Sequence, residues 1–268
     1  MMPKIHPTAT VAPEAVVADN VEIGPYCIVD PHVSIGEGCK LYGHCVVTGH
    51  TVLGRGNRVF YGAKLGTEAE DHSSAADDTM ALEIGDDNIF REDVTINRGT
   101  AKGGAKTVVG SHCFFMAYSH VAHDCRIGDN VILVDNAVMG GHVSVGDHAL
   151  ISGLCAVHQF CRVGRFAVLS GGSVISLDLP TFMIGEGRNG AVKVINLIGL
   201  KRAGFPSSTI RTLKDLCVIF FKSGLNVTNA LNKIDQELEP LPEVLEFVSF
   251  VKASKRGVLH GREIGRRG

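Results

Sequence analysis

An aliphatic residue recurs at every sixth position from the start of the chain: Ile5, Val11, Val17, Ile23, Val29, Ile35, Leu41, Val47, Leu53, Val59 and Leu65. A period of six is neither the 3.6 of an amphipathic helix nor the simple alternation of a half-buried strand, so it marks a repeat architecture. Three hexads supply three short strands and three corners, one triangular coil of a parallel β-helix with the aliphatic anchors inside. A single coil cannot bury its own core; stacking supplies the burial.

The rhythm breaks after Leu65-Gly66, and the acidic stretch 67–83 keeps no period. It returns at Ile84, Phe90 and Ile96, and a second break covers 98–108. From Val109 it runs through Phe115, Val121, Ile127, Leu133, Met139, Val145, Ile151, Val157, Val163 and Leu169 to Ile175. Segments that leave a regular scaffold and rejoin it tend to carry function. The hexads stop at Asp178-Leu179-Pro180. Helical punctuation follows: Pro206-Ser207-Ser208 before an apolar-periodic run to Ser223-Gly224, Thr228 before Ala230–Leu238, and Pro242 before Glu243–Lys252. The expected organisation is a β-solenoid over 1–180 and a helical unit over 181–268 that caps its end. The basic, glycine-broken stretch from Ser254 onward is expected to fray.

Composition agrees with stacked short strands and tight corners: 32 glycines, 12 phenylalanines, four tyrosines and no tryptophan. The eight cysteines include no CxxC pair and read as small buried hydrophobes of a reducing compartment, not as a disulfide framework. A formal net charge of -2 gives no electrostatic footprint for nucleic acid. The N-terminus shows no apolar signal-like core and the longest apolar run, Leu216 to Phe221, is far short of a membrane span, so a cytoplasmic protein without stable membrane insertion is expected.

Chemistry gathers at a spacing of 18, one full coil. Val121-Ala122-His123-Asp124-Cys125 is echoed by Met139-Gly140-Gly141-His142 and by Val157-His158-Gln159-Phe160. His32, His44, His50, His112, His142 and His148 all stand three residues after an anchor, a slot expected to hold solvated corner residues. His123 stands two after its anchor, where no other histidine does, and Asp124 follows it. Coils are about 4.8 Å apart, so His142 should lie one coil from His123 and His158 two. Gly140-Gly141 would bare the backbone between them. A histidine beside a carboxylate and exposed N–H groups can serve as general base with an oxyanion site. The residues alone leave a polar corner ladder as the other reading.

Several stretches resemble the UDP-N-acetylglucosamine O-acyltransferase family: His120-Val121-Ala122-His123-Asp124-Cys125, Gly141-His142-Val143-Ser144-Val145, Ala156-Val157-His158-Gln159-Phe160, Ile96-Asn97-Arg98-Gly99-Thr100 and Gly199-Leu200-Lys201-Arg202. The resemblance runs from Ile5 to Arg256. It implies a left-handed β-helix, a homotrimer with clefts between neighbouring solenoids, and transfer of an acyl or 3-hydroxyacyl chain from acyl carrier protein to the sugar 3-hydroxyl, the reaction that opens lipid A synthesis. It casts His123 as the base, Asp124 as its orienting partner, Gly141 N–H as the oxyanion donor and His142 as a donor-positioning group. Asp71, His120, His158, Gln159, Asn196 and Arg202 would contact the sugar nucleotide, and Leu169 and Gly171 would bound the acyl chain. No metal or cofactor is implied. The chain departs from the family at Ser73, Ile198 and Ala203, where the family carries charge; this leaves an amino-sugar nucleotide as an alternative acceptor. A γ-type carbonic anhydrase shares the scaffold, but its paired histidines are four residues apart in between, whereas His120 and His123 are separated by two.

Overall fold

The computed structural model describes residues 2–72, 79–188 and 190–261. Ser73, where a lysine is expected to be lost, and the tail beyond Gly261 lie outside them. Of the stretch from Ser254 that is expected to fray, residues 254–261 are instead held in place, with Val258 and Leu259 buried and the Leu259 N–H donating to the Asp178 carbonyl. The described residues form three sheets, of twelve, nine and eight strands, and successive strands go to different sheets in strict rotation up to Ile175. Face A begins with Lys4–Ile5, face B with Thr10–Val11 and face C with Val16–Val17. Pairing is parallel with a step of one coil: Val121 opposes Met139, and Met139 opposes Val157. The product is a left-handed parallel β-helix of hexapeptide repeats, followed by a C-terminal helical region.

The anchors explain the prism. Leu41, Val47, Leu53, Val59, Leu65, Ile96, Phe115, Val121, Leu133, Ile151 and Leu169 are all at most 1 % exposed, stacked in register inside. Each such burial is worth roughly 1.5–3 kcal/mol. The position two before an anchor is also interior and takes small residues: Cys27, Cys39, Cys45, Cys113, Cys125, Cys155 and Cys161 all occupy it, buried and unpaired. Asn57 and Asn88 in that position use their amides to hold neighbouring coils together: Asn57 Oδ1 accepts from Asn88 N at 2.9 Å, and Asn88 Oδ1 from Cys113 N at 2.8 Å.

The position three after an anchor has left-handed backbone geometry at most corners, with φ of 60° at Asp124, 60° at His142 and 64° at Phe160. Asn, Asp and His tolerate that geometry better than most side chains, which accounts for His44, His112, His142 and His148 there, whereas His32 and His50 hold the slot without it.

The β-structure continues past the last hexad. Strand Met183–Glu186 pairs in parallel with Val168–Leu169 on face A, and Ala191–Ile195 folds back on it antiparallel. Helices α1 (Leu197–Arg202), α2 (Ser207–Lys222), α3 (Val227–Glu237) and α4 (Pro242–Lys252) follow. Of these, α1 carries no signal in the apolar pattern. Arg165 grips Glu246 of α4 through two nitrogens, and Arg162 bonds Asp178 and the Phe250 carbonyl, docking the helices on the upper coils. His260–Gly261 then returns to face A beside Ala191–Val192. No helix among the described residues is long and apolar enough to cross a membrane.

Candidate active site

Both interruptions of the hexads leave from the same corner, between faces B and C. The first joins Lys64–Thr67 to Ala81–Ile84, the second Thr95–Asn97 to Lys106–Val109. Strand pairing takes up part of each expected loop, leaving excursions at 68–80 and 98–105. Directly above them on that corner sit His123-Asp124, then Gly141-His142, then Gln159-Phe160. Five consecutive turns of one corner thus enclose a cleft of ≈ 420 Å³, lined by Glu70, Asp71, Thr100, Lys102, His123, His142, Gln159 and Phe160.

His123 Nδ1 donates to Asp124 Oδ2 at 2.8 Å. The Asp124 carboxylate is wholly buried and the His123 ring 11 % exposed. Thr100 holds both carboxylate oxygens: its N–H donates to Oδ1 at 2.9 Å and its hydroxyl to Oδ2 at 2.7 Å. The Asp124 N–H donates to Thr107 Oγ1 at 2.8 Å, fixing the backbone under the dyad. Gly103 closes the lid, since a side chain there would run into the carboxylate. A carboxylate on Nδ1 puts the proton there and leaves the Nε2 lone pair for the cleft.

That lone pair lies against Gly141. A Cβ at Gly141 would come within 2.7 Å of His123 Nε2 and 2.6 Å of Cε1. Gly140 N–H and His142 N–H donate to the carbonyls of Val157 and His123, whereas Gly141 N–H meets no acceptor among the described residues. His142 packs edge-on to His123, with ring centroids 5.2 Å apart, and stacks on Phe160 at 4.4 Å. Its Nε2 lies 3.8 Å from Asp124 Oδ2. His123, Asp124 and His142 form the one group among the described residues dense enough in donors for a cation. Both Asp124 oxygens are already engaged by Thr100 and His123, so the group is poorly suited to one.

The expected residues divide. Asp71, His123, His142 and Gln159 line the cleft, with Asp124 behind His123 and Gly141 beside it. His158 is exposed and outside the lining; one past its anchor, it leaves the corner before Gln159 and Phe160 turn into the cleft. His120 shares a 2.7 Å hydrogen bond with Thr95 Oγ1, and burial holds its imidazole below the ordinary value against the raising effect of the Glu70 carboxylate. Asn196 caps α1: its Oδ1 accepts from Gly199 N and its Nδ2 donates to Phe166 O, and it does not reach its own chain's cleft. Arg202, Ile198 and Ala203 are exposed on or just past α1. The expectation for Leu169 is corrected. As an anchor it points inward at 0 % exposure, so it cannot line a groove on the outer surface. Gly171 is exposed at the corner between faces A and B, where a Cβ would meet only Gly153 O at 3.6 Å.

Thr100, Thr107, Lys102 and Glu70 went unassigned a role from sequence, because an excursion of unknown length breaks the 18-residue count that relates the other turns.

Comparison with known proteins agrees with this arrangement. Residues 106–141 match the model of the bacterial transferase hexapeptide (six repeats), and residues 178–259 match domain 2 of UDP-N-acetylglucosamine O-acyltransferase. An acyl-[acyl-carrier-protein]–UDP-N-acetylglucosamine O-acyltransferase of Trichlorobacter lovleyi is 48 % identical over 96 % of this chain and 99 % of its own length. The chain belongs to the UDP-N-acetylglucosamine O-acyltransferase family. The family enzyme of Syntrophobacter fumaroxidans is 45 % identical over 96 % of this chain and 99 % of its own. Among solved structures, the UDP-N-acetylglucosamine acyltransferase of Francisella novicida superposes with a TM-score of 0.93 at 34 % identity, covering 97 % of this chain and 95 % of its own. That of Bacteroides fragilis gives 0.92 at 38 %, covering 96 % and 100 %. The amino-sugar and carbonic anhydrase readings gain no support from these acyltransferases.

Proposed function

We propose that the corner cleft transfers an acyl chain from acyl carrier protein to the 3-hydroxyl of UDP-N-acetylglucosamine, the opening step of lipid A synthesis, in the cytoplasm. The observation that carries the reading is the His123–Asp124 dyad with its free Nε2 set against Gly141. His123 Nε2 takes the proton of the sugar hydroxyl as its oxygen attacks the thioester carbonyl. Gly141 N–H donates to the oxyanion that forms. Collapse of the tetrahedral intermediate breaks the C–S bond, and His123 returns its proton to the departing thiolate. Asp124 stabilises the imidazolium between these steps without itself taking the proton. His142, stacked on Phe160, positions the donor; Asp71, Gln159 and His120 serve the nucleotide sugar.

Two outer faces support a cyclic trimer. Face A presents Ile89, Phe114, Ile132, Leu150 and Val168, and face B presents Ile28, Val46, Val138, Ala156 and Val174. The corner between them exposes Tyr118 at 60 % and Leu154 at 71 %. Two different apolar faces meeting at one corner suit a head-to-tail interface that closes into a ring. An acyl chain running from the cleft across face B would then lie between subunits and reach the corner of Gly171. Exposed Arg202 is available to a neighbour's cleft, and Asn196 acts by holding α1 in place.

The test is an assay with acyl carrier proteins bearing chains of several lengths against UDP-N-acetylglucosamine, with light scattering on the same sample. Time-dependent 3-O-acylation by a trimer is expected. Absence of transfer with every donor overturns the reading.

A further inference from the structure

We infer that Thr100 is a positioning residue of the acyl transfer, which commits the Asp124 carboxylate to His123 and withholds it from His142. The inference rests on the proposed role of His123 as base.

Asp124 Oδ2 has two imidazoles within reach: His123 Nδ1 at 2.8 Å and His142 Nε2 at 3.8 Å. A carboxylate free to rotate about its Cβ–Cγ bond could serve either. Thr100 removes that freedom by engaging both oxygens at once, with its amide on Oδ1 and its hydroxyl on Oδ2. Two donors on one residue define the carboxylate plane, and the plane that results aims Oδ2 at His123. Thr100 is itself held: it is 2 % exposed, and its hydroxyl accepts from Gly103 N at 3.2 Å. The Ala105 N–H returns to the Thr100 carbonyl at 2.9 Å, so the excursion folds on itself around this residue. The second excursion therefore does more than wall the cleft, because it sets which histidine the buried carboxylate polarises.

The chemical consequence concerns the tautomer of His123. With Oδ2 fixed on Nδ1, the proton stays on Nδ1 and Nε2 faces the sugar hydroxyl. If Oδ2 drifts toward His142, His123 loses the partner that stabilises its imidazolium, and both tautomers become accessible. The base is then weaker and is correctly disposed for only part of the time.

The experiment compares Thr100→Val, which keeps the backbone N–H and removes the hydroxyl, with Thr100→Ser, which keeps both donors. Steady-state kinetics over pH are measured on the full-length protein with acyl carrier protein donor and UDP-N-acetylglucosamine. Thr100→Val is expected to lower kcat about 10- to 100-fold, the scale of a misplaced catalytic group. The acceptor KM should stay within about 2-fold, and the acid limb of the kcat/KM profile should move to lower pH as His123 loses its carboxylate partner. Thr100→Ser should restore both kcat and the profile. An acid limb in Thr100→Val that overlays the wild type, with activity falling only in proportion to folded protein, overturns the inference. His123→Ala is run alongside. Near-normal turnover in that variant would sink the base assignment itself, whereas an inactive His123→Ala with an unshifted Thr100→Val sinks only the role of Thr100.

Discussion

One corner of the prism carries two pairs of histidines with different fates. In the lower coils His32 and His50 stand three residues after anchors of face B, and their rings stack flat at 4.4 Å and 1°. Higher on the same corner His123 and His142 meet at 87°. The lower pair is a column of like side chains in like slots, each ring leaning on the next. The upper pair breaks the column: aspartate takes the slot three after the anchor at Asp124, and the histidine moves back one position. That shift turns the ring of His123 onto a carboxylate and across Gly141. The upper pair sits on the turns just above both excursions, and Thr100 of the second holds its acid. Histidine on this corner is common, and chemistry requires the displaced histidine, the buried acid and the lid together.

The sharpest break of this comparison is His123→Ala set against His50→Ala. Loss of the base is expected to cost about 10²–10⁴ in kcat, while His50→Ala leaves turnover unchanged; acyl transfer rates decide it. Gly141→Ala comes next. Its Cβ would meet the His123 ring at 2.6 Å, so kcat should fall on the order of 10² with the coil intact by circular dichroism. Asp124→Asn should cost less than removing His123, since it orients the base and carries no proton itself; a loss equal to that of His123→Ala would mean that the base works only in the tautomer the carboxylate holds. Gly171→Met should shift preference toward shorter acyl chains and spare a short donor, because its side chain enters open space. Equal loss on every donor length would place the chain elsewhere.

The smallest effect concerns His120. Its folded pKa is lowered, chiefly by burial, so the native state binds fewer protons than the unfolded chain as pH falls through the ordinary histidine value. The stability of the neutral form is present above that value and is lost as pH drops below it. A His120→Gln variant should therefore lose less melting temperature than wild type between about pH 7 and pH 5. Parallel melting curves would show that the ring is not deprived of water.

The scaffold was legible because hexads repeat one physical demand, an aliphatic side chain inside at every strand. Spacing of 18 likewise places His123, Gly141 and Gln159 on one corner, since strand pairing makes one coil one step. The count cannot say which way a corner residue faces. His158, one past its anchor, was expected in the cleft and stands outside its lining, and Phe160, three past, was not given a role although it stacks on His142 there. Nor could it cross the excursions, so Thr100, quoted only within a stretch that resembles the family, and Thr107 were given no role, although the first holds the buried carboxylate and the second accepts from its backbone N–H. Leu169 failed for a simpler reason. An anchor in register belongs to the core, and the period itself argued against its facing a ligand.

The shared departure point of the two excursions governs which changes of length the chain can absorb. Within the hexads, adding or deleting one residue would turn every later anchor out of the core, so whole coils of 18 are the natural increment there. At the corner between faces B and C the increment is free, because Lys64–Thr67 and Ala81–Ile84 are paired to their neighbouring coils whatever length joins them. Doubling such a loop costs only about 0.6 kcal/mol of closure entropy. Selection can therefore lengthen, shorten or recompose the walls of the cleft one residue at a time while the hexad frame stays fixed. The most rigidly periodic protein surface is also the one with a single hinge for variation, and the chemistry is stationed at that hinge.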